Sequence, residues 1–356
     1  MKYKKIRAKQ LIKYFLISLL LLPSCNNNIR QGGIESLFKS ERMLQHTEIQ
    51  LTNDEFLGLV LQLKLLDNDL IVHEHGRAYS FSIIDINSST LYSRFARFGQ
   101  GPNEVLPRLD DLTVFDGNTI TAFSVQANAL YSFSRKNDFL PKRKIDFGQD
   151  RSIGITNMIP ISSDRYIAMG VFEEGRYLFL GENGEKISFN FDFPIPTDGT
   201  RFTSPIQQVV AFQGILQGRP NRNAFFFAAM TSEVFEIMEI DNDNNLRQVF
   251  SFHGEIARFV LEGNTSVAFR RESNVFFVSA TSTDNYIYLL YSNKMIGDNI
   301  HNAMQSSRVL VFDWQGNPIT KLLLDIEVNA IAVSENDEYL FAYANELEKL
   351  VRFVLK

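Results

Sequence analysis

Apolar and polar positions alternate along this chain in short runs, and the runs come in pairs. An apolar stretch meets a turn of Asp, Asn, Gly or Ser, and a second apolar stretch follows at once. The pattern reads LKLLDNDLIVHE at Leu63–Glu74, LTVFDGNTITAF at Leu112–Phe123 and NMIPISSDRYIAMG at Asn157–Gly170. It recurs as VFFVSATSTDNYIYLLY at Val275–Tyr291 and AIAVSENDEYLFAY at Ala330–Tyr343, and more loosely as ILQGRPNRNAFFFAAM at Ile215–Met230. Period-two alternation, or a short apolar run bounded by turn formers, predicts β-hairpins. Most of these hairpins are followed by another strand pair, as in YSFSIIDINSSTLYSRFA (Tyr79–Ala96) and RVLVFDWQGNPITKLLL (Arg308–Leu324). No convincing amphipathic helix of ten or more residues interrupts the body.

Four strands per unit, repeated six times at a period of roughly 45–60 residues, predict an all-β six-bladed β-propeller with four-stranded antiparallel blades. A single blade cannot bury both its faces; blades stacked around an axis do. The last unit, Ala330–Lys356, holds only three strands: AIAVS, YLFAYA and KLVRFVLK. The alternating QHTEIQL at Gln45–Leu51 has no local partner. It is expected to supply the missing outer strand, closing the ring and covering an open edge.

The first residues follow a different logic. Lys2, Lys4, Lys5, Arg7, Lys9 and Lys13 precede the apolar run Tyr14–Leu22, and Leu22-Pro23-Ser24-Cys25 follows. The run is too short for a spanning helix, which needs ~20 apolar residues. A basic segment, a short apolar segment and small residues are the marks of a signal peptide. The Leu-Pro-Ser-Cys end resembles the lipobox of bacterial lipoproteins, which implies cleavage before Cys25 and lipid on its sulfur. Cys25 is the only cysteine, so an internal disulfide is not available to it. An ordinary signal peptide with an incidental cysteine is the plainer alternative. The expected organisation is a signal peptide over 1–24, a lipid-anchored tether over 25–44 and the propeller over 45–356. The expected location is the cell envelope, in the outer membrane and facing the periplasm.

Composition fits this picture. Apolar residues make up 45% and charged residues 22% of 356, with 31 phenylalanines, a globular and strand-favouring mixture. Loss of residues 1–24 removes six basic and no acidic side chains, so the net charge moves from −5 to −11. Nucleic-acid phosphates would repel such a body, and no nucleic-acid partner is expected.

RFGQGPNE at Arg97–Glu104 raises the question of a phosphate-cradling loop. A dinucleotide fingerprint needs G-x-G-x-x-G opening a helix; here Glu104 occupies the third glycine position and no helix follows. Gly-Lys-Ser/Thr is also absent. The segment reads as a crossover between blades one and two, with Gly99 and Gly101 expected at positive φ and Pro102 stiffening the exit. FGQGPNEV, followed by LDDLTVFDGNTITAFSVQANALYSFS, resembles the TolB-like six-bladed β-propeller lipoproteins of Bacteroides-like bacteria. The resemblance extends over roughly Thr47–Lys356 as repeated strand patterns. It implies the fold and no particular reaction.

Candidate chemistry is sparse. His73 and His75 in HEH share one face of a strand, so both imidazoles reach one point. Zinc needs three or four ligands, and no metal is assigned. Arg77, Arg108 and Arg176 are candidate contacts to an anionic group, against the plainer reading of solvated loop arginines. Loops Glu173–Arg176, Thr231–Glu233, Ala344–Glu346 and Asn293–Ser307 are expected on the propeller face that carries RFGQGPNE and the end of the HEH strand, the last as a lid or partner contact. Asp110-Asp111 at a strand start reads as capping or solvation. G-x-S-x-G and H-E-x-x-H are absent. The expected function is a lipid-anchored binding module for an envelope protein or a small ligand, with no cofactor. A metal-assisted hydrolase or lyase using His73 and His75 is the alternative.

Overall fold

The paired runs fold into antiparallel sheets, four strands at a time. The computed structural model describes residues 32–356 except 53–54, 77, 148–153, 197–198, 221–223, 242, 244, 264 and 298. Blades one to five take their four consecutive strands from residues 59–97, 110–146, 154–190, 214–253 and 274–328. Blade six has the three strands Ala330–Val333, Tyr339–Ala344 and Lys349–Val354. His46–Ile49 completes it, antiparallel to the last of these, with His46 opposite Phe353 and Ile49 opposite Leu350. The expected closure by an N-terminal strand is therefore present, and the protein is a six-bladed propeller.

Each blade's first strand lines the axis, where it touches the first strands of its neighbours. Alternate residues of a strand point to opposite faces, so every blade presents aromatics to both sides. Phe81 and Phe95 of blade one meet Phe133 of blade two at ring distances of 5.7 and 5.3 Å. Tyr177 of blade three packs on Phe225 of blade four at 5.3 Å, and Phe235 of blade four on Phe312 of blade five at 5.0 Å. Each such side chain contributes roughly 1.5–3 kcal/mol on burial. The seams between blades, rather than one central core, hold the ring together.

Three features lie outside the repeat. The packed body includes residues before the expected boundary at residue 45. Ile34 is fully buried in the seam of blades four and five, and Glu41–Leu44 pairs parallel to Pro318–Val328 as a fifth strand of blade five. Residues 34–44, assigned to the tether from sequence, are thus part of the packed body. Next, a helix α1 (Pro205–Ala211) and a hairpin of Phe259–Glu262 with Ser266–Phe269 pack together between successive blades. Gln207 joins them: its Nε2 donates to Gly263 O at 2.9 Å, and its Oε1 accepts from Thr203. Last, the Asn293–Ser307 segment carries a single helical turn, α2 (Ile300–Ala303). Among the described residues no helix is long and apolar enough to cross a membrane.

RFGQGPNE is the crossover from blade one to blade two. Its glycines act differently from expectation, since neither Gly99 nor Gly101 has positive φ. They make room: a Cβ on Gly99 would overlap the Glu104 carboxylate. That carboxylate accepts from Gly101 N at 2.9 Å, while Glu104 N donates to Gly101 O and Gly99 N to Val105 O. The segment is a self-bonded turn built around one glutamate.

Candidate functional site: the crossover mouth of the axial channel

First strands begin on the face made by the blade-to-blade crossovers, and at that end the channel opens into a cavity of about 410 Å³. Its polar wall comes from the first strands and their flanks: Gln62, Asp110, Asp111, Thr156, Asn157 and Gln213. Its apolar wall includes Val209 and Val210 of α1, with Phe212, Met230 and Phe277. A concave site with an apolar body and a few convergent polar groups is the ordinary form of a ligand pocket.

Asp111 anchors the polar wall. It is buried, and it joins two blades: Oδ1 accepts from Asn157 Nδ2 at 3.0 Å and Oδ2 from Met158 N at 2.9 Å. Gln62 makes the matching link between blades one and two by accepting from Leu112 N at 3.3 Å. Desolvation dominates the Asp111 carboxyl. It pushes the pKa up to about 7, helped by the charge of Asp110 and opposed by the bonds from Asn157 and Met158. Asp110, at the solvent-reached rim, also has a raised pKa; desolvation raises it, while interaction with Arg108 and then with His75 pulls it back. Backbone strain collects here too. Arg108 and Asp111 both adopt left-handed φ, at 65° and 54°, a conformation that costs a non-glycine residue about 1–3 kcal/mol and clusters at functional sites.

The sequence-derived candidates separate in space. His73 and His75 do share a face, with ring centroids 6.0 Å apart. His73 is buried against Phe81, its Nδ1 unpartnered and its pKa pushed down to about 3 by desolvation and then by His75. It is a neutral imidazole in the blade, while half-buried His75 reaches the rim near Asp110. Among the described residues no group of three or more His, Cys, Asp or Glu side chains is placed to hold a metal ion. Arg108 stands exposed beside Asp110. Arg176 lies elsewhere, fully buried between blades three and four and paired with Glu236. Tyr177 Oη and His253 Nε2 complete that carboxylate's partners at 2.9 and 2.7 Å. Arg77 and Cys25 lie outside the described residues. Of the four loops, Thr231–Glu233 is buried and holds the N-terminal segment: Glu233 Oε1 accepts from Ile34 N at 2.8 Å and from Tyr291 Oη at 2.5 Å. Glu346 accepts from Gln305 at 2.8 Å, fastening the Ala344–Glu346 loop to the end of the Asn293–Ser307 segment.

From sequence Asp111 was read with Asp110 as capping or solvation, and Asn157 was passed over. The available signal was a pair of acidic residues opening an innermost strand, where the channel rather than bulk water receives one of them.

A closed ring of six blades around an axial pocket defines a six-bladed β-propeller of the kind that offers a binding site at one mouth. A family model described as TolB-like 6-blade propeller-like matches residues 38–336, and the chain belongs to that family. No curated protein matches the sequence. Among solved structures, the chain is similar to a candidate exported protein of Bacteroides fragilis, with 12% identity, 92% of this chain and 97% of that chain covered, and a TM-score of 0.56. A duf4221-family protein of Bacteroides vulgatus is similar at 11% identity, 88% and 98% coverage and a TM-score of 0.54. At these identities the likeness is one of fold.

Proposed function

We propose that the protein is a lipid-anchored envelope binding module whose ligand enters the crossover mouth. The observation that carries this reading is the pairing of a 410 Å³ cavity, apolar on one side, with the buried Asp111 carboxyl on a left-handed backbone and the Asp110 carboxyl at its rim. Such a wall suits a ligand with an apolar body and a basic, hydrogen-bond-donating head, either a small amphiphile or the end of a partner chain. A cationic head would restore the charge that desolvation suppresses on Asp111.

The anchor reading rests on the basic segment and the apolar run Tyr14–Leu22 that end in Leu22-Pro23-Ser24-Cys25.

Calorimetric titration of the full chain in detergent tests the site, with a series of alkylamines set against alkyl carboxylates of equal length. Amines should bind and Asp111→Asn should weaken them; equal silence from both series sinks the reading. Cys25→Ala should release the protein from the membrane fraction.

A further inference from the structure

The other end of the axis carries a second, separate arrangement. At the hairpin-tip face the channel opens into a cavity of about 120 Å³, which meets a narrower one of about 50 Å³ inside. Lys64 borders both. It lies on the innermost strand of blade one, inside the apolar run Leu63-Lys64-Leu65-Leu66, and is 8% exposed. Among the described residues its Nζ has no hydrogen-bond or ion-pair partner, unlike the usual buried lysine, which is paired. Burial alone pushes its pKa down to about 7.

Across the same cavity stands the complementary defect. Asp284 Oδ1 is buried with no hydrogen-bond partner. The loop carrying it is rigidly tied: Arg219 Nε donates to Asp284 O at 3.0 Å, and Trp314 Nε1 to Thr283 O at 3.0 Å. The misfit is therefore not that of a loose loop. Gln217 bonds Ala280 O through Nε2 at 2.9 Å, and Glu335 adds a carboxylate at the exposed rim.

An unpaired ammonium and a carboxyl with an unpartnered oxygen border one cavity, and a ligand carrying both opposite headgroups would satisfy them. We propose that this cavity binds a small zwitterion of the amino-acid class, its carboxylate on Lys64 Nζ and its ammonium on Asp284, with Glu335 at the rim. At roughly 10–15 Å³ per water-sized probe, the space holds a ligand of up to about ten non-hydrogen atoms. The site is independent of the crossover mouth and stands or falls without it.

Competitive labelling of the wild-type full chain is the first test. At neutral pH an unpaired, partly neutral amine acylates ahead of surface lysines, which are protonated. Glycine, L-serine or L-glutamate should protect Lys64 from an acetylating reagent by at least about tenfold, leaving other lysines unprotected. Acetate and methylamine, each carrying one headgroup, should protect at least about tenfold less. Lys64→Met and Asp284→Asn should each abolish calorimetric binding of the same amino acids while the circular dichroism stays unchanged. Absence of protection by any of the three up to about 10 mM, equal protection by acetate, or undiminished binding in Lys64→Met would each overturn the proposal.

Discussion

Replacing Asp111 by asparagine isolates the electrostatic cost of the crossover mouth. The folded carboxyl titrates at about 7, against ~3.9 for an aspartate in an unfolded chain. Between those values the folded state keeps a proton that the unfolded state has released, so stability falls as pH rises through the window. Three units at 1.36 kcal/mol each make the penalty about 4 kcal/mol at pH 8 and nearly nothing below pH 4. Asparagine cannot ionise and escapes this penalty. Its amide nitrogen cannot accept, where both oxygens of the carboxyl can even when it is protonated, so one of the bonds from Asn157 and Met158 is lost, at about 1 kcal/mol. The variant should be more stable than wild type by about 3 kcal/mol at pH 8 and less stable by about 1 kcal/mol at pH 4, crossing near pH 5. Urea denaturation of both proteins across this range measures the difference, in which contributions from distant groups cancel. A difference that stays flat with pH would refute the buried-carboxyl reasoning, and one that grows toward acid would reverse it.

The remaining predictions concern the frame around that mouth. Arg176→Met strands Glu236 inside the seam of blades three and four and should cost about 3–5 kcal/mol in denaturant unfolding, with a smaller loss when Glu236→Leu is added. Glu233→Ala removes the acceptor of two buried donors, Ile34 N and Tyr291 Oη; amide exchange should quicken over residues 34–44 while the inner strands stay protected, and unchanged exchange there would discard the latch. Gly99→Ala should displace Glu104 and cost about 1 kcal/mol, the worth of its bond to Gly101. In a Glu104→Ala background the same change should cost almost nothing, and additive losses would refute the turn's design.

Much of the architecture was legible because strands and tight turns are short-range objects. LTVFDGNTITAF commits to a hairpin from its alternation and its Asp-Gly-Asn turn alone, and six such units leave few ways to bury both faces of each sheet. Even the closure could be read, since blade six lacks a strand and Gln45–Leu51 is an orphan one. The Glu41–Leu44 strand escaped notice: ERML has no alternation and pairs in parallel with residues nearly the whole chain away. The hairpin at 259–269 was hidden for a related reason, because it belongs to no repeat and is stabilised by α1 from a different crossover.

Side-chain fate was another matter. Arg176, in the polar stretch Glu173-Glu174-Gly175-Arg176, has the sequence of a solvated loop, yet a glutamate of the next blade buries it. Lys64 and Asp111 look like surface charge and prove to be interior. Their surroundings are assembled from blades one, two, four, five and six for Lys64, and from blades two and three for Asp111. The chain by itself determined most of its strands and their grouping into blades, since each depends on residues a few positions apart, and the one strand missing from the last unit pointed to the closure of the ring. Only the tertiary structure decided which charges lose their water, because desolvation is imposed by neighbours that arrive from other blades.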